Sequence, residues 1–271
     1  VDADSASRFS IEWNCATVGH MNGQIISDAE QTARLELAAA YRLAAREGLD
    51  DGIWNHFSLA VPGHADRFLL KPHGLLFSEV TAGNLIVVDH AGNRIAGEGL
   101  WEPTAFYIHA RIHSARPDLR CVMHTHMPHL AALAACADRR LLPLSQDSLR
   151  FYGRLAYYDH YNGLALDEAE GDRMVAALGD RTILVLANHG VLVGAPDVAQ
   201  ALYDLHYLEL ACRLQYLARS MAAGGALQLI DPAVAERTAA DLNRNVAADA
   251  ALHLAAHMRL LDREESGYRS V

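Results

Sequence analysis

Six short apolar runs, each four to eight residues long and closed off by turn-forming residues, alternate with segments of helical periodicity, and that alternation restricts the chain to a mixed α/β fold. The runs lie at 57–61, 68–71, 85–89, 119–126, 182–187 and 190–194. Helical patterns cover 27–45, 104–114, 130–137, 168–178, 198–222 and 232–261. The punctuation agrees with this division. Ser27-x-x-Glu30 has the capping-box pattern and Gly48 is a plausible stop. His90-Ala91-Gly92-Asn93 reads as a hairpin turn, Arg116-Pro117-Asp118 breaks a helix, and 149–158 reads as mixed strand and loop. No repeat or low-complexity linker interrupts the pattern. The reading is one α/β domain over 27–271, a central, mainly antiparallel sheet with helices packed on it, preceded by an irregular arm at 1–26.

Composition narrows the function. Half of the 271 residues are hydrophobic, enough for a sizeable core, and the formal charge of -10 argues against a general nucleic-acid binder. No run of about 18 apolar residues suggests a membrane span. The first residues lack a basic stretch followed by an apolar one, so no secretory signal is read. Cys15, Cys121, Cys136 and Cys212 form no C-x-x-C and read as reduced thiols of a cytoplasmic enzyme.

Fifteen histidines are spread from His20 to His257. Two of them, His124 and His126, close the run Cys121-Val122-Met123. Alternate residues of a strand share a face, so this His-x-His presents two imidazoles side by side, a common way to offer nitrogen ligands to a metal ion. His189 in Asn188-His189-Gly190, after the run at 182–187, is the candidate third ligand, with Gly190 allowing a tight backbone turn. A lone histidine on an apolar face is more often a satisfied core residue, and it is the pair that gives the metal reading its weight. Other histidine-metal patterns fit less well: the segment through His129 lacks the Asp of H-x-H-x-D-H, and no Glu follows as in cupins. His129 reads as a surface or supporting residue, His109 and His113 as an exposed or supporting pair at i, i+4, and Glu209, near His206 on the long helix, as an interhelical polar contact.

Several stretches together resemble the class II aldolase/adducin superfamily. They are Asn55-His56-Phe57-Ser58, the run from Lys71-Pro72-His73-Gly74 through Glu79-Val80-Thr81-Ala82, Ala115-Arg116-Pro117-Asp118 leading into His124-Thr125-His126, Arg150-Phe151-Tyr152-Gly153, and Asn188 to Gly194. The resemblance covers most of 28–271. It implies an α/β/α fold around an antiparallel sheet and a divalent metal, usually zinc with Mn2+ or Fe2+ as alternatives, held by His124, His126 and His189. It also implies a homotetramer with interfacial active sites, and a metal that stabilises the enolate formed when a C–C bond breaks.

Two departures qualify this. The catalytic Glu of the sugar-phosphate aldolases falls at Ala105, and Glu102, three residues earlier, is a candidate substitute. The phosphate-binding Gly-Asn pair falls at Asn55-His56, so the Gly that lets backbone N–H groups approach a phosphate is missing. Both point to a non-phosphorylated carbonyl or hydroxy substrate, with an aromatic one among the candidates. The candidate proton-transfer residues are Tyr161, His56 and Glu102. Tyr161 is drawn from a group with Tyr152, Tyr157, Tyr158 and His160, which otherwise reads as a structural aromatic cluster. The resulting expectation is a metal-dependent C–C lyase. The alternatives are an iron oxygenase or decarboxylase on the same fold and a non-catalytic adducin-like assembly module.

Overall fold

The computed structural model describes residues 26–271 and the backbone of 20–21 and 24–25. Apart from residue 26 and the antiparallel pairing of two short strands, β1 (His20–Met21) with β2 (Gln24–Ile25), the arm read at 1–26 and its Cys15 lie outside the described residues. Helix α1 (Asp28–Arg46) starts where Ser27 predicts, with the serine hydroxyl accepting the Glu30 N–H at 3.1 Å. The Glu30 carboxylate turns instead to Arg34, at 2.9 Å, so the capping is one-sided.

The sheet follows from the short apolar runs. Strands β3 (His56–Ala60), β4 (Arg67–Leu70), β5 (Ile86–Asp89) and β6 (Arg94–Ala96) form a meander. Next come α2 (Pro103–Ala115), β7 (Cys121–Thr125), α3 (Pro128–Ala134), α4 (Gln146–Leu149) and β8 (Leu155–Tyr158). The chain continues through α5 (Glu168–Leu178), β9 (Ile183–Leu186), β10 (Val191–Ala195), α6 (Val198–Ala222), α7 (Pro232–Asn243) and α8 (Val246–Glu264). The strand order is β6-β5-β4-β3-β7-β10-β9-β8, and every neighbouring pair is antiparallel except β8 with β9. The helical region at 232–261 is two helices, broken at Arg244-Asn245.

Alternation along the strands divides the core into two layers. Phe57, Met123, Val185 and Val193 pack toward α1 and α6, with Leu254 and Leu261 of α8 behind. Val122, Leu184 and Leu192 pack toward Ile108 and Ile112 of α2 and Met174 and Leu178 of α5. The architecture is therefore an α/β/α sandwich. Tyr41 ties the first layer to the sheet: its hydroxyl donates to the Phe57 carbonyl at 2.6 Å and accepts the Phe57 N–H at 2.8 Å. Tyr41→Phe is expected to cost about 1–3 kcal/mol in urea unfolding, because both buried Phe57 groups lose a partner. Among the described residues, no helix is long and apolar enough to cross a membrane.

Candidate metal centre

The centre forms where the middle strands end. In register, His124 of β7 faces His56 of β3 on one side and Leu192 of β10 on the other. His126 lies just beyond β7, and His189 sits in the β9–β10 turn. The three rings form a triangle, with centroids 5.1 Å apart for His124–His126 and 4.8 Å for each of them to His189. One nitrogen from each lies within 4.8 Å of the others. Among the described residues, no other trio of histidine, cysteine or carboxylate side chains meets that condition.

The turn carrying His189 is built differently from the expectation. The left-handed residue is Asn188, at φ 55°, whose type tolerates it. Gly190 is there for space: a Cβ would lie 2.3 Å from the Thr125 carbonyl oxygen and 2.9 Å from the His126 ring.

Hydrogen bonds set which nitrogen each ring can offer. His124 Nδ1 donates to the Val191 carbonyl at 2.9 Å, leaving Nε2 with a free lone pair. His126 Nδ1 donates to the Asp51 carboxylate at 3.0 Å, and its Nε2 is buried without any partner. A buried nitrogen lone pair aimed at two other imidazoles fits a metal ligand better than any role in packing. Burial, then the neighbouring His189 and His126, pushes His124 well below the ordinary histidine range. Burial and His126 bring His189 down to about 4. Near neutral pH both are therefore the neutral imidazoles that coordination requires.

Two residues support His126: Asp51 escaped the sequence reading, and Asn55 was read there only as part of the position of the phosphate-binding pair. Asp51 orients the His126 ring, and Asn55, at φ 63°, accepts the His126 backbone N–H at 3.1 Å. The Asp50-Asp51-Gly52 turn was the available signal, but nothing local in it reports a contact 75 positions away. Asp51→Ala is expected to weaken zinc binding about 10–100-fold by competition titration with a chromophoric chelator.

The other candidates separate. The sequence reading makes His56 a proton-transfer candidate at the position of the family's phosphate-binding pair. It is the first residue of β3, 5% exposed, with Nδ1 2.7 Å from His109 Nε2. His109 and His113 are buried against the sheet rather than exposed, because this face of α2 is packed on β3 and β4. The tyrosines do not cluster. Strand alternation sends Tyr157 to the α6 layer, where its hydroxyl accepts the Leu141 N–H, and Tyr158 to the α5 layer. Tyr161 lies beside the centre, its ring 6.4 Å from that of His189. Glu102 caps α2, accepting the Ala105 N–H at 2.8 Å and the Thr104 hydroxyl. Glu209 makes the expected interhelical contact, capping α3 through the His129 and Leu130 N–H groups and meeting His129 Nδ1 at 2.6 Å.

A cavity of about 10 Å³ adjoins the centre, lined by Asn55, His56, Lys71, His73, Glu102 and Ala105 among others. Lys71 Nζ donates to the Ile53 and Leu75 carbonyls at 2.7 and 3.0 Å, and burial brings its pKa down to about 8.

An α/β/α sandwich of this topology is an aldolase-type architecture, and solved structures described as aldolases share it. An aldolase II superfamily protein from Pseudomonas syringae superposes with a TM-score of 0.83 at 41% identity, over 90% of this chain and 98% of that one. An L-fuculose 1-phosphate aldolase from Glaciozyma antarctica gives 0.78 at 27% identity, over 89% and 93%. Rat alpha-adducin is 38% identical over 211 residues, 75% of this chain but 28% of adducin. Residues 35–216 match the family described as Class II Aldolase and Adducin N-terminal domain, and the chain belongs to that family.

Proposed function

We propose that this protein is a metal-dependent carbon–carbon lyase of the aldolase type, acting on a non-phosphorylated carbonyl or hydroxy substrate, with His124, His126 and His189 as metal ligands. The observation that carries the reading is the buried, partnerless Nε2 of His126 facing two imidazoles held neutral by burial. A divalent ion there, zinc by the all-nitrogen donor set, supplies Lewis-acid stabilisation of the negative charge that develops as the C–C bond breaks. Mn2+ and Fe2+ are the alternative ions. The protein's own groups do the rest. Asp51 and Val191 hold two ligand rings in one tautomer, Tyr161 stands beside His189 to exchange a proton, and His56 and Glu102 line the adjoining cavity.

The non-phosphorylated substrate is supported by Ala105 at the position of the family Glu and by Asn55-His56 at the position of the phosphate-binding Gly-Asn pair. A homotetramer with interfacial sites is part of the proposal, supported by exposed Trp54 and Tyr161 beside the centre. So is a reducing, cytoplasmic setting, supported by the unpaired Cys121, Cys136 and Cys212.

Elemental analysis of purified protein beside His126→Ala tests the metal and its site together. About one ion per chain is expected in the parent, with at least about a 100-fold loss of affinity in the variant. The adducin relatives favour a second reading, a non-catalytic assembly module. Protein that takes up no ion, with His126→Ala indistinguishable from it, would establish that reading. Oxygen uptake coupled to turnover would establish an oxygenase instead.

A further inference from the structure

Three further imidazoles gather where α8 packs on α6, and none of the residues described at the metal centre takes part. His253 and His257 stand one turn apart on α8, at the i, i+4 spacing that puts two side chains on one face. They flank the stripe of Leu254, Met258 and Leu261 that joins the core. His206 of α6 meets them from the other helix. All three are half-buried, so an ion can reach them from solvent.

The spacing of the rings is that of a chelate. A zinc-bound imidazole has its ring centre about 3.2 Å from the ion, so two rings at a tetrahedral angle lie roughly 5.2 Å apart. The centroids of His253 and His206 are 5.1 Å apart, and those of His253 and His257 are 4.5 Å apart. His206 and His257 are wider, at 6.4 Å. Closing them takes about 1 Å, which a side-chain rotation of His257 on the solvent side supplies.

The surroundings favour a cation. The Glu47 carboxylate accepts Nδ1–H of His206 at 2.7 Å, which leaves Nε2 of a neutral His206 with a free lone pair. This is the carboxylate–imidazole pairing that orients a metal ligand. Glu47 is also the C-cap of α1, so the negative end of that helix lies at the group. Among the described residues, neither His253 nor His257 has a hydrogen-bond partner of its own. Burial, then His257 and His206, brings His253 down to about 4, so near neutral pH no proton competes for its lone pair.

We propose that His206, His253 and His257 form a second metal site, for a divalent ion of the zinc class, with Glu47 as the residue that orients His206. An all-imidazole donor set selects zinc, nickel or copper over magnesium and calcium, which take oxygen ligands. The ion joins α6 to α8 and fastens the C-terminal helix to the domain. This stands apart from the reading of the metal centre. It is the weaker of the two sites, because half-exposed side chains must be ordered to fill it, and dialysed protein keeps only the ion of the centre.

Zinc titration of the parent protein against a chromophoric chelator tests this. A tight event and a second, weaker one are expected, each of about one ion per chain. His253→Ala and His257→Ala should each weaken the second event at least about 10-fold and leave the first unchanged, and Glu47→Ala should weaken it about 10-fold. Magnesium at the same concentration should not displace the second ion. In His126→Ala protein the weak event should persist, and zinc should slow hydrogen exchange along α8. With zinc about 100-fold above the dissociation constant, amides that exchange by undocking of α8 should slow about 100-fold, an effect lost in His126→Ala/His253→Ala. A single event in the parent, a second event that both α8 variants leave intact, its displacement by magnesium, or unaltered exchange along α8 overturns the proposal. The weak event without the tight one sinks the reading of the centre alone, and the tight event without the weak one sinks this one alone.

Discussion

Lowering the pH from about 7 to about 4.5 is expected to unfold the metal-free protein, because its buried histidines, His109 and His113 among them, must take up protons. Both are packed between α2 and the sheet without a carboxylate partner. Burial, then the neighbouring His90, pushes His113 down to about 3, and burial and His113 push His109 well below the ordinary range. The folded state therefore binds fewer protons than the unfolded chain once the pH falls below about 6.5, so stability drops as acid is added, down to the folded pKa. Each such histidine withdraws about 1.4 kcal/mol per pH unit over that window. Two units of acidification acting on His113 alone remove about 3 kcal/mol, and His109 acts in the same direction, against a whole stability of about 5–15 kcal/mol for an ordinary domain. Urea unfolding midpoints measured across this range check it. His113→Gln should flatten the slope even though it lowers stability near neutral pH. A midpoint that holds level from pH 7 to 5 would contradict the account.

Gly190→Ala is expected to be the most damaging single methyl near the centre. The added carbon would sit 2.3 Å from the Thr125 carbonyl oxygen and 3.2 Å from its carbon. Those atoms belong to β7, a central strand paired on both sides, so they have nowhere to move. The β9–β10 turn must shift instead, and His189 with it. The expected cost is about 3 kcal/mol or more in urea unfolding, with zinc affinity falling by at least about 10-fold. Full affinity in a stably folded Gly190→Ala protein would mean that the turn is looser than its contacts indicate.

The parts of the fold legible in the sequence were those with a strong period. The apolar runs at 57–61, 85–89 and 182–187 became β3, β5 and β9 within a residue or so. β6 escaped because an exposed edge strand carries no burial pattern, and the break between α7 and α8 because Arg244-Asn245 contains neither Gly nor Pro. At the centre, the His-x-His spacing brought out two of the trio, the strand-then-Asn188-His189-Gly190 pattern offered the third as a candidate, and the resemblance gave all three one role. Misreadings came where closeness in sequence was taken for closeness in space. Tyr157 and Tyr158 are neighbours that point to opposite faces. His56 and His109, 53 positions apart, share a hydrogen bond.

That separation bears on how the protein reaches its native state. The hydrogen bonds that hold the centre join residues 67 positions apart for His124–Val191 and 75 for His126–Asp51. Ordering loops of that length comes before their contacts can repay it, so the three imidazoles meet late along the folding route. An ion bound by all three would then be absent from the rate-limiting encounter. Zinc should accordingly leave the refolding rate nearly unchanged and act almost entirely by slowing escape from the folded form, extending the lifetime of the protein more than it hastens its birth.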